Sequence, residues 1–207
     1  LPELMERYGA LPLPPYVQRP EAPEDAARYQ TVFADELGAA AAPTAGLHLS
    51  RRVLDGLASR GVRVAQLTLH VGVGTFRPLR AEDLARGTLH PEWYRIPEAT
   101  VAAIAETRAA GGRVVAVGTT SCRALESATA PGAQVPIAGE GVTRLFLRAG
   151  DRARCVDGLL TNFHLPETSL LHLVCALGGR ERVQRAYEEA VVRNYRFYSY
   201  GDAMLLL

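Results

Sequence analysis

The stretch Val114-Val115-Ala116-Val117-Gly118-Thr119-Thr120-Ser121-Cys122-Arg123 decides the fold class. Its small apolar and β-branched residues read as a short buried strand. Gly118 breaks that strand, and Thr120 or Ser121 can cap a helix that runs to about Ala128. Strand, tight turn and helix in direct succession form the unit of layered α/β proteins. Upstream, a helix from about Pro97 to Ala110 turns Val101, Ile104 and Ala105 inward and closes on Gly111-Gly112. Before it, a helix over 51–60 ends at Gly61 and leads into a strand over 62–71. Downstream come strands near 143–148 and 154–162, then a helix near 168–177. An amphipathic helix over 181–193 follows, with Val183, Ala186, Tyr187, Ala190 and Val191 on one face. An opening helix spans Pro23 to about Ala34. The alternation predicts an α/β domain, barrel-like or layered, with mostly parallel strands. Prolines hold residues 11–16 extended, so 1–22 read as a linker and 23–207 as the α/β domain.

Composition narrows the chemistry. With 48% hydrophobic and 22% charged residues in 207, the chain fits an ordinary globular domain. All 23 basic residues are arginine, which excludes a Schiff-base lysine within the chain. A net charge of +1 provides no global field for a polyanion, so a nucleic-acid partner needs a local arginine patch. Cys122, Cys155 and Cys175 are too scattered for a zinc knuckle or an iron–sulfur cluster. The five histidines lack zinc spacing, so no metal is expected. There is no leader-like opening and no apolar run long enough to cross a bilayer, which predicts a soluble cytoplasmic protein that does not engage a membrane.

Candidate chemistry gathers at strand ends, where α/β proteins place their sites. Alternation over 62–71 puts Gln66, Thr68 and His70 on one face, before Gly72-Val73-Gly74-Thr75-Phe76, whose glycines permit close approach of a ligand. The amides after Gly118 favour an anion. An ordinary intrahelical ion pair accounts for Arg123 and Glu126. At the end of the third strand, Asn162 and His164 share a face and suit hydroxyl or base recognition and proton transfer. Pro43-Thr44-Ala45-Gly46-Leu47-His48 is a small-residue loop leading into a helix, and His90-Pro91-Glu92 can bring an imidazole and a carboxylate into one pocket. These features fit an enzyme. They also leave room for a barrel-type sugar or aldol enzyme without RNA, or for a non-catalytic RNA-binding module.

Taken in order, these segments closely resemble the S-adenosylmethionine:tRNA ribosyltransferase-isomerase family. The blocks are Pro12-Leu13-Pro14-Pro15-Tyr16; Arg28-Tyr29-Gln30-Thr31-Val32-Phe33-Ala34; Ala41-Ala42-Pro43-Thr44-Ala45-Gly46-Leu47-His48; and Leu69-His70-Val71-Gly72-Val73-Gly74-Thr75-Phe76. His90-Pro91-Glu92 and Ala116-Val117-Gly118-Thr119-Thr120-Ser121-Cys122-Arg123 follow. Thr161-Asn162-Phe163-His164-Leu165-Pro166 and Tyr195-Arg196-Phe197-Tyr198-Ser199-Tyr200-Gly201-Asp202-Ala203-Met204 complete the set. Ala149-Gly150 replaces the family's Pro-Gly turn, and His172 stands where methionine is common. The family's N-terminal segment and small β-rich domain are expected to be largely absent from this chain.

The resemblance implies a transferase that moves and isomerises the ribosyl moiety of S-adenosylmethionine. The acceptor is the aminomethyl-deazaguanine at the tRNA wobble position; epoxyqueuosine forms, and adenine and methionine leave. S-adenosylmethionine is consumed as a co-substrate, and no further cofactor is implied. The partners are that donor and the tRNA anticodon loop, with the protein acting as a monomer. The reaction needs a base for the acidic proton on the ribose carbon beside sulfur, groups to hold the ribose hydroxyls, and assistance to adenine departure. On this reading Glu92 or His90 takes the proton, and His164 or Asp202 assists adenine loss. His70, Thr119, Thr120 and Asn162 hold donor hydroxyls. Arg28 and Arg123 meet tRNA phosphate or the methionine carboxylate. Tyr29, Gln30, Thr44, His48, Gly72, Gly74, Thr75 and Ser121 complete the substrate-binding set.

Overall fold

The computed structural model describes Tyr8, Gly9, Leu11, Leu13, Pro14, Val17 and residues 19–39, 41–72, 81–166 and 168–207, so the expected contacts of Gly74 and Thr75 lie outside the described residues. In order along the chain come helix α1 (Asp25–Arg28), a 3-10 turn (Thr44–His48), α2 (Arg51–Ala58), β1 (Thr68–His70) and α3 (Ala81–Arg86). Next are β2 (Thr88–Ile96), α4 (Glu98–Ala109), β3 (Val115–Val117), α5 (Thr119–Ala128) and β4 (Gly139–Leu145). Last come β5 (Gly158–Asn162), α6 (Ser169–Gly178), α7 (Arg180–Val192) and β6 (Ala203–Leu206).

The strands form two small sheets, ordered β1-β2-β4 and β3-β5-β6. The first is antiparallel throughout. In the second, β3 runs parallel to β5 and β6 runs antiparallel to it. The α/β class therefore holds, but the expectation of mostly parallel strands is corrected. Neither sheet closes on itself among the described residues. The connections explain the directions in the second sheet. Helix α5 and strand β4 of the other sheet lie between β3 and β5 in the chain, a crossover long enough for parallel pairing. The consecutive helices α6 and α7 pack on each other and bring the chain back to the end it left, so β6 must run antiparallel.

Several boundaries moved for local reasons. Helix α1 stops at Arg28 rather than near Ala34, and soon after it the Thr31 hydroxyl accepts the Phe33 amide, a local bond that competes with the helix. The strand expected over 62–71 pairs only from Thr68 to His70. Strand β2 escaped the sequence reading because Pro91 sits inside it. The proline is tolerated because the β2–β4 register shifts between Thr88 and Glu92. In the segment read as a linker, Arg19 clamps Asp25 through two bonds of 2.5 and 2.7 Å, which ties the described part of it to the domain.

Helix α5 sits between the two sheets and is buried over seven residues, from Thr119 and Thr120 through Cys122–Glu126. Cys122, Ala124 and Leu125 join Ile96, Ile104, Leu159, Leu173 and Val174 in the core. Arg123 and Glu126 share this interior and do not form the expected intrahelical pair. The Arg123 Nη1 donates to Glu92 on β2 at 2.5 Å, and its Nε donates to the Leu145 carbonyl on β4 at 2.9 Å. Glu126 accepts the amides of Arg154, Cys155 and Val156 at 2.7, 3.0 and 2.9 Å. A desolvated guanidinium or carboxylate needs several partners, and a single neighbour three residues away cannot supply them. The helix is thus pinned to the first sheet by Arg123 and to the segment leading into β5 by Glu126.

Replacing Glu126 with Ala strands three inward amides and should destabilise the protein by about 3 kcal/mol or more in urea denaturation. Glu126→Gln keeps acceptor capacity and should cost clearly less. Equal losses for the two variants would contradict the pinning role.

Candidate functional site

Two clefts flank the 3-10 turn Thr44–His48. The first, about 450 Å³, is lined by Arg28, Gln30, His48, Arg196, Tyr200 and Asp202 among others, and is called here the arginine cleft. The second, about 400 Å³, lies at the end of α5 and is called the helix cleft. Thr119, Thr120 and Ser121 face it from α5, Thr44 from the turn, and Asn162 and His164 from the end of β5. Phe163, Leu165, Leu170 and Val71 supply apolar walls. Ser199 borders both clefts.

Gly118 makes the helix cleft possible. It caps α5 at φ +90°, a conformation that strains any residue with a side chain, and it offers no side-chain cap. The helix therefore begins at Thr119, one residue before the expected capping residues, and its first amides face the cleft without a side chain over them.

Asn162 lines the helix cleft and bonds to His48, which lines the arginine cleft. Its Oδ1 lies 3.1 Å from the Thr44 hydroxyl, and its Nδ2 lies 3.0 Å from His48 Nε2. An amide NH2 donates, so Nε2 accepts and His48 carries its proton on Nδ1. Burial pushes the His48 pKa down, against the opposing pull of the Asp202 charge, and keeps the ring neutral. His164 is held by Thr161, whose Oγ1 lies 2.8 Å from Nε2, while its backbone amide donates to the Tyr187 hydroxyl at 2.9 Å. Burial pushes its pKa down to about 4, so at neutral pH it is an uncharged imidazole.

In the arginine cleft, Asp202 accepts the Arg196 amide at 2.7 Å, which closes the loop carrying Ser199 and Tyr200. The Tyr200 hydroxyl donates to Asp25 at 3.1 Å. The Arg19 guanidinium holds the Asp25 carboxyl well below the usual carboxylate range. Tyr29 lies beneath, with its ring 5.6 Å from that of Tyr200.

Other expected site residues lie elsewhere. His70 packs edge-on to Trp93 at 4.5 Å and sits so close to Gly38 that a Cβ there would stand 2.4 Å from its ring. In the same row read from alternation, its strand neighbour Thr68 bonds Glu36 and Arg95. Gly72 is half-buried beside the cleft-lining Val71. His90 is exposed, with Nδ1 3.0 Å from the Pro91 carbonyl. Glu92 and Arg123 are 4% exposed and engaged with each other, which removes the Arg123 guanidinium from any phosphate or carboxylate ligand. Sequence reasoning assigned no role to Thr161, Phe163, Ser199 or Tyr200. Their only signal was membership of the same blocks as Asn162 and Asp202. Among the described residues, no group of three or more His, Cys, Asp or Glu side chains is placed to hold a metal ion, and no helix is long and apolar enough to cross a membrane.

Comparison with known proteins places this site in context. A family model described as queuosine biosynthesis protein matches residues 1–206. A Thiobacillus denitrificans protein named S-adenosylmethionine:tRNA ribosyltransferase-isomerase is 57% identical over 204 residues, covering 99% of this chain and 59% of the relative. A protein of the same name from Azoarcus sp. is 58% identical over 205 residues, with the same coverages. The crystal structure of an S-adenosylmethionine tRNA ribosyltransferase from Thermotoga maritima superposes with a TM-score of 0.63 at 42% identity, over 79% of this chain and 51% of that one. The chain thus spans about 59% of the length of these curated relatives.

Two outcomes follow from the histidines. His164 binds a proton near pH 6.5 when unfolded but only near pH 4 when folded, so unfolding takes up a proton between those values. Stability should be constant above pH 6.5 in this respect and fall as pH drops toward 4, and His164→Gln should flatten that slope in urea titrations at stepped pH. Asn162→Asp places a carboxylate against His48 Nε2 and should raise the His48 pKa by about one unit or more, read by NMR titration. An unmoved His48 would refute the Asn162–His48 contact.

Proposed function

The chain belongs to the family of queuosine biosynthesis proteins, and from that premise we propose that it transfers and isomerises the ribosyl moiety of S-adenosylmethionine onto the aminomethyl-deazaguanine at the tRNA wobble position. Epoxyqueuosine forms, and adenine and methionine leave. The protein acts as a cytoplasmic monomer, with the donor consumed as co-substrate and no other cofactor. The carrying observation is the pair of chemically different clefts that share Ser199 and are linked by the Asn162–His48 hydrogen bond. The helix cleft, with apolar walls and neutral hydrogen-bonding groups, takes the donor. The arginine cleft, with Arg28 and Arg196 at its rim, takes the anticodon nucleotides, whose phosphates pair with guanidinium groups.

Within this reading the roles shift from those first expected. His90 is exposed and Glu92 is engaged by Arg123, so removal of the proton beside sulfur falls to His164, a neutral imidazole lining the donor cleft. Thr44 and Asn162 hold ribose hydroxyls as the ring opens, with Ser199 beside them. Asp202 and His48, in the neighbouring arginine cleft, take the proton from the attacking amine and steer the departing base. Thr161 acts through His164 by fixing its ring.

Incubating the protein with ribose-labelled S-adenosylmethionine and tRNA lacking the modification should move label into RNA with release of adenine and methionine. His164→Gln should slow adenine release by about a hundredfold or more. Loss of release in Glu92→Gln with near-normal His164→Gln would return the base role to Glu92. Absence of label in RNA would favour a sugar or aldol enzyme, and salt-sensitive tRNA binding without adenine release would favour a binding module.

A further inference from the structure

The N-terminus of α5 is open in a way the proposed roles do not use. The amides of Thr119, Thr120 and Ser121 donate to nothing among the described residues; the first amide with a partner is that of Cys122, which reaches the Gly118 carbonyl at 3.2 Å. Gly118 has no side chain to cap them. A helix of ten residues carries about half a positive charge at this end, concentrated on those free amides.

A second, independent feature points to a ligand. Thr119 and Thr120 are only 7% and 8% exposed, line the helix cleft, and have hydroxyls without a hydrogen-bond partner among the described residues. Both hydroxyl oxygens open onto the cleft and, beside the free amides, are placed to donate to a ligand seated there. An anion fits such a ligand, because the amides only donate, the hydroxyls can donate, and all of them sit on a positive helix end. It must also be weakly charged, since no described residue lining this cleft is a lysine, arginine, aspartate or glutamate. A phosphate dianion would call for guanidinium groups; a single carboxylate matches the half-charge of a helix end.

We propose that the open end of α5, through the Thr119 and Thr120 amides and hydroxyls, is a carboxylate subsite that grips the methionine carboxylate of S-adenosylmethionine without any cationic side chain. The inference rests on the reading of the helix cleft as the donor site. It also orients the donor: with the carboxylate at α5, the ribose extends toward Thr44 and Asn162 in the same cleft.

The test is calorimetric titration of the protein with S-adenosylmethionine and with its decarboxylated analogue. The analogue should bind at least tenfold more weakly. Thr119→Val with Thr120→Val should weaken the parent compound several-fold while leaving the analogue unchanged. Ser121→Asp adds a charge that the helix end itself favours, so Tm should hold while binding of the carboxylate-bearing donor falls. Equal binding of the two ligands, or equal weakening of both by the valine variants, overturns the subsite and leaves the donor-cleft reading intact. No binding of S-adenosylmethionine at all brings down both.

Discussion

Helix α5 can lie between two sheets only because its charged side chains are satisfied on both flanks. Arg123 is bound by Glu92 and a β4 carbonyl, and Glu126 by three successive amides ahead of β5. A buried ion pair is weak evidence of stability, but removing one member leaves a desolvated charge and is strongly unfavourable. These contacts therefore fix position more than they add net stabilisation. They leave the first turn of α5 with little freedom to move relative to the end of β5, and those two termini frame the helix cleft.

The convergence at the site follows from that fixed frame. Parallel pairing of β3 with β5 brings Gly118, just past the end of β3, against Leu160 and places Asn162 beside the start of α5. The turn carrying Thr44 and His48 is then held by the two ends of one amide. Residues 118 positions apart in the chain, Thr44 and Asn162, thus meet across a hydrogen bond, and the same side chain bonds His48 of the neighbouring cleft. Preorganised groups of this kind stabilise charge as it develops without reorganising during the reaction.

Much of this was legible in the sequence. Strand β3, the break at Gly118, helix α5 and the amphipathic α7 follow from period and punctuation, and Asn162, His164, Thr119 and Thr120 emerged as polar residues at strand ends. Other features depended on distant partners. Pro91 hid β2 because nothing local announces a bulge. Two helices in succession reversed β6, whereas alternation alone suggested parallel strands. Arg123 and Glu126 looked like an ordinary intrahelical pair because three-residue spacing says nothing about burial. His70 beside glycines was read as a substrate contact and Glu92 beside His90 as a base, because their actual neighbours, Trp93 and Gly38 or Arg123, are distant in sequence or unmarked by it.

The central claim is that the helix cleft holds the ribosyl donor, with Asn162 as the boundary between donor and acceptor. A crystal structure with S-adenosylmethionine bound tests it most directly. The account predicts the donor carboxylate at the start of α5, the ribose hydroxyls within hydrogen-bonding distance of Thr44 or Asn162, and His164 beside the carbon next to sulfur. Density for the donor in the arginine cleft, or against Glu92 and His90, would contradict it.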